Sequence, residues 1–226
     1  MKLDNLIKNE YADMQGHNLK DISVQETEGL SQIILLYKKI PDILEKVVNS
    51  FDSFFLADFY DEILKEMNKT NPSYTPRDIT SFSILFDTLQ SEEKKPFYGF
   101  FIASLVNFHY NKTLNDITDN SSEKQISPPS YLLIFPENVI LDFIGYKNRA
   151  DVTMYGNAGS NFGNEMIEGT LRLHGKVNYV GPIVHGGEIH VESAKSISTS
   201  QMDGRFFVNG EEIIEKKRKE IVRTKK

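Results

Sequence analysis

The sequence predicts a two-part α+β chain: an N-terminal helical bundle, then a short right-handed parallel β-helix with a C-terminal capping helix. Three observations carry this reading. Apolar residues recur at helical spacing from Leu30 to Phe108. Eleven of the 14 glycines lie between Gly145 and Gly210, whereas ten of the 15 phenylalanines precede residue 110, so the halves are built differently. Four short runs in the glycine-rich half superpose, their starts 19, 18 and 17 residues apart. The divisions that follow are a helical domain over 1–114, a linker over 115–129, a β-helix over 130–210 and a basic amphipathic helix or tail over 211–226.

With 226 residues, 26% charged and 39% hydrophobic, the chain has the composition of a folded globular protein. The absence of Cys excludes disulfides, thiolate zinc sites, iron–sulfur clusters and a cysteine nucleophile. A net charge of −6 argues against a surface that binds nucleic acid throughout. The opening MKLDNLIKNEYADMQ places acids among its first residues and has no apolar core of signal-peptide length. The longest apolar stretch, Phe97 to Val106, falls short of the roughly 20 residues that cross a bilayer. A cytoplasmic protein without a membrane span is therefore expected.

In the first half, Ile33, Ile34, Tyr37 and Ile40 form one stripe. Ile43, Leu44, Val47, Val48, Phe51, Phe54 and Phe55 form a second, with Pro41 between them to begin a new helix or kink a continuous one. The run continues through Phe59, Ile63, Leu64 and Met67 to a turn at Asn71-Pro72. Thr75-Pro76-Arg77-Asp78 reads as a helix start, Thr75 as N-cap and Pro76 at the first helical position, with Ile79, Phe82, Leu85, Phe86 and Leu89 inward. A further helix, beginning between Ser91 and Pro96, carries Phe97, Phe101, Leu105 and Phe108. The total is four or five helices around a Phe-rich core. His109 and Tyr110 close an aromatic face and read as packing. Asp58, Asp61, Glu62 and Glu66 share one helix face, but no Glu-x-x-His pair completes a metal-binding bundle, so they read as a solvated face.

After Pro129 the pattern changes. Val152-Thr-Met-Tyr-Gly156 aligns with Leu171-Arg-Leu-His-Gly175, Ile189-His-Val-Glu-Ser193 and Phe206-Phe-Val-Asn-Gly210, and a weaker copy precedes them at Leu132-Leu-Ile-Phe135. Each unit is too small to bury its own apolar face and must stack on its neighbours. Val152, Leu171, Ile189 and Phe206 then form one inward ladder, and Met154, Leu173, Val191 and Val208 the next. Phe162 and Met166, Val180 and Val184, and Ile197 and Met202 supply another wall. Structural glycines at Gly156, Gly159, Gly163, Gly169, Gly175, Gly181, Gly186 and Gly187 mark the corners, where φ is positive or a side chain has no room. A β-sandwich predicts shorter intervals of about 8–12 residues. A left-handed β-helix needs an aliphatic residue at every sixth position, which fails at Asn164.

The stretch Gly156-Asn-Ala-Gly-Ser-Asn-Phe-Gly163 with Met166 and Gly169, followed by Gly175, Gly181 and Gly186-Gly187-Glu-Ile-His-Val191, resembles the GXGXG repeat. That repeat builds the C-terminal β-helix of the glutamate synthase large subunit and the C subunit of formylmethanofuran dehydrogenase. The phrase G-x-A-G-x-x-x-G-x-x-M-x-x-G occurs once in full, and later copies depart from it at Val184 and Ser193. The likeness covers about residues 130–210. It implies a structural wedge that holds other domains in place, with no cofactor and no catalytic residue of its own.

Two surfaces are candidates for more. The outward rows Thr153, Arg172, His190, Phe207 and Tyr155, His174, Glu192, Asn209 stack about 4.8 Å apart, and with His185 and Glu188 they gather three histidines and two acids on the solenoid. A metal or catalytic site needs ligands that converge, whereas His174 beside Glu192 is also a simple surface ion pair. The second surface is the tail. Residues 211–226 hold seven Lys or Arg, among them Lys216, Lys217, Arg218 and Lys219, against four Glu. Such a cluster contacts anions or nucleic acid, or it is the wet face of a helix over Glu211 to Thr224 whose Ile213, Ile214, Ile221 and Val222 cover the solenoid end. The expectation is a non-enzymatic structural or assembly protein that associates with a protein partner or with itself. A ligand- or metal-binding protein or enzyme using the outward His/Glu face, and a nucleic-acid-associated factor using the tail, are the alternatives.

Overall fold

A computed structural model describes residues 24–50, 55–89, 97–119, 127–181, 183–197 and 201–213. The helical part comprises α1 (Glu28–Lys38), α2 (Ile40–Ser50), α3 (Phe55–Thr70), α4 (Pro76–Leu89) and α5 (Tyr98–Asp119). Thr27 caps α1, its hydroxyl oxygen accepting the Leu30 N–H at 3.0 Å. Thr75 caps α4 as the sequence predicts, and Asp78 returns the favour in a capping box, accepting the Thr75 N–H at 2.8 Å. The first half of α5 is buried on every side, Phe100 to Val106 without a break, which makes it the central helix. Two expectations change here. Val48 is 54% exposed, because its neighbour Val47 takes the inward place. Asn115 to Asp119, read as the start of a linker, continue α5. Phe51 and Phe54, and the start of a helix between Ser91 and Pro96, fall outside the described residues.

From residue 130 the chain winds into a parallel β-helix of about four turns. Strands β1 (Ser130–Ile134), β3 (Asp151–Tyr155), β5 (Thr170–Val180), β7 (Glu188–Ile197) and β9 (Arg205–Val208) pair in parallel in that order. Val152, Leu171, Ile189 and Phe206 stand in register, as do Met154, Leu173, Val191 and Val208. Both predicted ladders are therefore present. The second wall agrees too. Phe162 bridges Val180, which pairs with Ile197, and Met166 bridges Val184 of β6 (Ile183–Val184), which pairs with Met202 of β8 (Gln201–Met202). Between these walls, β2 (Ile140–Leu141) and β4 (Asn157–Ala158) line up Leu141, Ala158, Val177 and Ala194.

The first coil is fuller than the sequence reading allowed. Its strand register lies one residue earlier, Tyr131 opposite Val152 and Leu133 opposite Met154, so Leu132 stands in the outward row. The corner backbone also repeats: φ is positive at Phe143, Gly145 and Lys147, and again one coil later at Asn161, Gly163 and Glu165. At another corner, Gly187 has φ +78° and a Cβ there would sit 2.5 Å from the Gly169 carbonyl oxygen, so only glycine fits. In β5, His174 and Gly175 together oppose Glu192, a bulge that shortens the next coil and accounts for the fall of the repeat interval from 18 to 17 residues.

The C-terminal end differs from expectation. Asn209 and Gly210 both take positive φ (50° and 79°), the two-residue turn that Asn-Gly favours, and β10 (Glu211–Glu212) returns antiparallel on β9. Glu211 and Glu212 are thus strand rather than the first turn of a capping helix. Ile213 is buried and donates its N–H to the Phe206 carbonyl at 2.8 Å. Lys216, Lys217, Arg218 and Lys219 lie outside the described residues.

Helices and solenoid share one core. The exposed edge of β1 would leave the groups of Leu132 and Ile134 that face away from β3 unpaired. α4 supplies their partners. The Thr80 hydroxyl donates to the Leu132 carbonyl at 2.7 Å, and the buried Ser83 hydroxyl accepts the Ile134 N–H at 2.9 Å. Phe100 stacks on Phe143 at 4.3 Å, Phe86 meets Phe135 edge-on at 6.0 Å, and Asn107 donates to Tyr60 (2.8 Å) and to the Tyr146 carbonyl (3.1 Å). The helical part therefore caps the N-terminal end of the coil.

Candidate functional site

Strand alternation sends Thr153, Arg172, His190 and Phe207 outward in one row, and Tyr155 and His174 outward in the next. The face resolves into two separate clusters. In the first, His190 Nε2 is 2.9 Å from one oxygen of Glu188, whose other oxygen takes the Arg205 guanidinium. The His190 ring lies flat on Phe207, centroids 4.3 Å apart and planes within 3°. Burial, with the Arg172 charge second, holds the His190 imidazole below the ordinary histidine range. In the second cluster, His174 Nδ1 is 3.5 Å from Glu192, and its ring stacks on Tyr155 at 4.6 Å. His185 is exposed, its backbone N–H donated to Met166.

Of the five residues singled out in the sequence, four lie on neighbouring strands β5 and β7 and His185 lies between β6 and β7, and they do not converge. Glu188 with His190 and Glu192 with His174 form two pairs, each engaged with a ring or a guanidinium, and His185 joins neither. Among the described residues no three His, Asp or Glu side chains are grouped so as to hold a metal ion. Arg205 was missed, although its in-register place opposite Glu188 was available from the repeat: it stands one residue before Phe206 as Glu188 stands before Ile189.

The remaining candidates take structural places. His109 is half-buried, its Nδ1 2.9 Å from the Tyr131 hydroxyl and its ring 5.8 Å from that of Tyr74, and burial lowers its pKa. On α3, Glu62 binds Lys46 (2.6 Å) and Lys65 (2.5 Å), and Glu66 binds Lys39 (2.5 Å). These bonds hold both carboxyls below their usual range. They line a groove of about 610 Å³ between α2 and α3, in which four lysines meet Asp42, Glu62 and Glu66. Asp61 faces Lys147 at 4.0 Å. No described helix is long and apolar enough to cross a membrane. Comparison with family models, with curated proteins and with solved structures returned no match.

Proposed function

We propose that this protein is a non-enzymatic assembly protein, a capped β-helix that presents its outer walls to a protein partner or to another copy of itself. The observation that carries the reading is the division of the His/Glu face into two separate clusters, each engaged with its own neighbours. General acid–base or metal chemistry needs groups that converge on one reacting atom, whereas these side chains are spent on each other. Their stacking along neighbouring coils stiffens the wall, which suits a surface meant to hold a fixed shape. The likeness of Gly156 to Gly169 to the GXGXG phrase supports the same reading, since that domain type acts as a structural wedge. No cofactor enters it, and a cytoplasmic setting is part of the proposal.

The test is native mass spectrometry and sedimentation of the full chain, alone and captured from its source. A defined complex or self-assembled species, weakened when Arg172 and Tyr155 on the outer wall are both changed to Glu, supports the proposal. A strictly monomeric chain without a stoichiometric partner contradicts it.

A further inference from the structure

On the outer face, side chains that join the last coil to its neighbour gather around His190. Glu188 joins His190 on its own strand to Arg205 on β9. Phe207, also on β9, lies against the imidazole, and the Arg205 guanidinium sits 5.6 Å from the Phe207 ring centroid. On the other side, β5 places Arg172 directly across from His190, with Thr170 and His174 diagonal to it. On its own strand the acids are Glu188 and Glu192, and Glu192 faces His174. Arg205 on β9 and Asn209 just beyond it complete the surround. One carboxylate, Glu188, therefore serves two partners already, and the ring that it touches lies between two guanidinium-bearing strands.

We propose that His190 makes the seating of β9 and β10 sensitive to protons, the coil being held at neutral pH and loosened in mild acid. Protonation puts a third cation beside Arg172 and Arg205, while the one carboxylate touching the ring, Glu188, is already bonded to Arg205. It also charges a ring whose side chain is only 21% exposed and whose face is covered by Phe207. The imidazole's depressed pKa agrees with this direction. β9 gives way first because β10, its outer neighbour, is paired over two residues only. This inference stands on the cluster geometry and does not depend on the assembly role.

Hydrogen exchange on the full chain, corrected for intrinsic rates, tests it between about pH 7.5 and about pH 5.5, the range in which histidine titrates. The amides of Arg205, Asn209 and Ile213, bonded to Gly187, Val191 and Phe206, report the seating. The expected result is a several-fold loss of their protection on acidification, with β3 and β5 unchanged. His190→Gln, which keeps a neutral donor towards Glu188, should abolish the difference. As a measurement independent of the variant's folding, the His190 ring is also titrated by NMR in the unaltered chain, with a midpoint below about 6.5 expected. Undiminished protection in acid, an equal loss in a folded His190→Gln, or a midpoint above that value overturns the proposal.

Discussion

Ser83→Ala removes the hydroxyl that accepts the Ile134 N–H at 2.9 Å. Ser83 is fully buried and Ile134 is 2% exposed, so water cannot replace the lost acceptor. A buried donor left unpaired costs about 1–3 kcal/mol. Alanine's better helix propensity on α4 returns about 0.5 kcal/mol, leaving a net loss of about 0.5–2.5 kcal/mol. For a chain of this size each kcal/mol lowers Tm by about 2–4 °C. Thermal melting followed by circular dichroism should thus show a fall of about 1–10 °C, and hydrogen exchange should locate the weakening in β1 as well as α4. The exposed Thr118→Ala, whose hydroxyl only meets the Asn115 carbonyl, should stay within about 0.5 kcal/mol of the parent. A Ser83→Ala protein as stable as that control, or one weakened in α4 with β1 untouched, would refute the idea that α4 caps the coil.

Gly187→Ala adds a Cβ against the Gly169 carbonyl at positive φ, and should cost about 2–5 kcal/mol from backbone strain and overpacking together. Gly210→Ala shares the positive φ but meets open space, so about 1 kcal/mol is expected; denaturant titration separates the two, and equal costs would contradict the corner argument. Glu62→Gln breaks exposed pairs to Lys46 and Lys65 and should cost less than about 1 kcal/mol, an effect that fades with added salt in denaturant curves. His109 is held below its unfolded pKa of about 6.5, so it favours folding above that pH and opposes it as pH falls beneath it; His109→Gln should flatten stability between about pH 7 and about pH 5, measured by urea unfolding.

The coil was legible where its residues alternate. Apolar and polar residues take turns from Val152 to Tyr155 and from Leu171 to His174, because one side of the wall is wet, and the ladder register follows from that alternation. The first strand resisted because Leu132-Leu-Ile-Phe135 has no alternation. Helices cover its outer side, so Ile134 and Phe135 are both buried and the pattern carries no phase. The same cause hid Thr80 and Ser83, whose hydroxyls look like ordinary helix polar residues until a strand edge from fifty positions away is laid beside them. The hairpin at Asn209-Gly210 was readable from its dipeptide, but the basic run beyond it drew the reading towards a helix. At the candidate site, the rows placed His174 and His190 correctly. What they could not supply is how each histidine is used: Arg205 reaches over to share Glu188, and the rings stack in pairs across the strands.

Native mass spectrometry of the chain isolated from its source tests the central claim most directly, with His174→Ala run in parallel. The account predicts a stoichiometric protein complex or self-assembly that survives His174→Ala. A monomer carrying a stoichiometric metal or small molecule, lost in His174→Ala, would contradict it and make the outer face of the coil a site of chemistry.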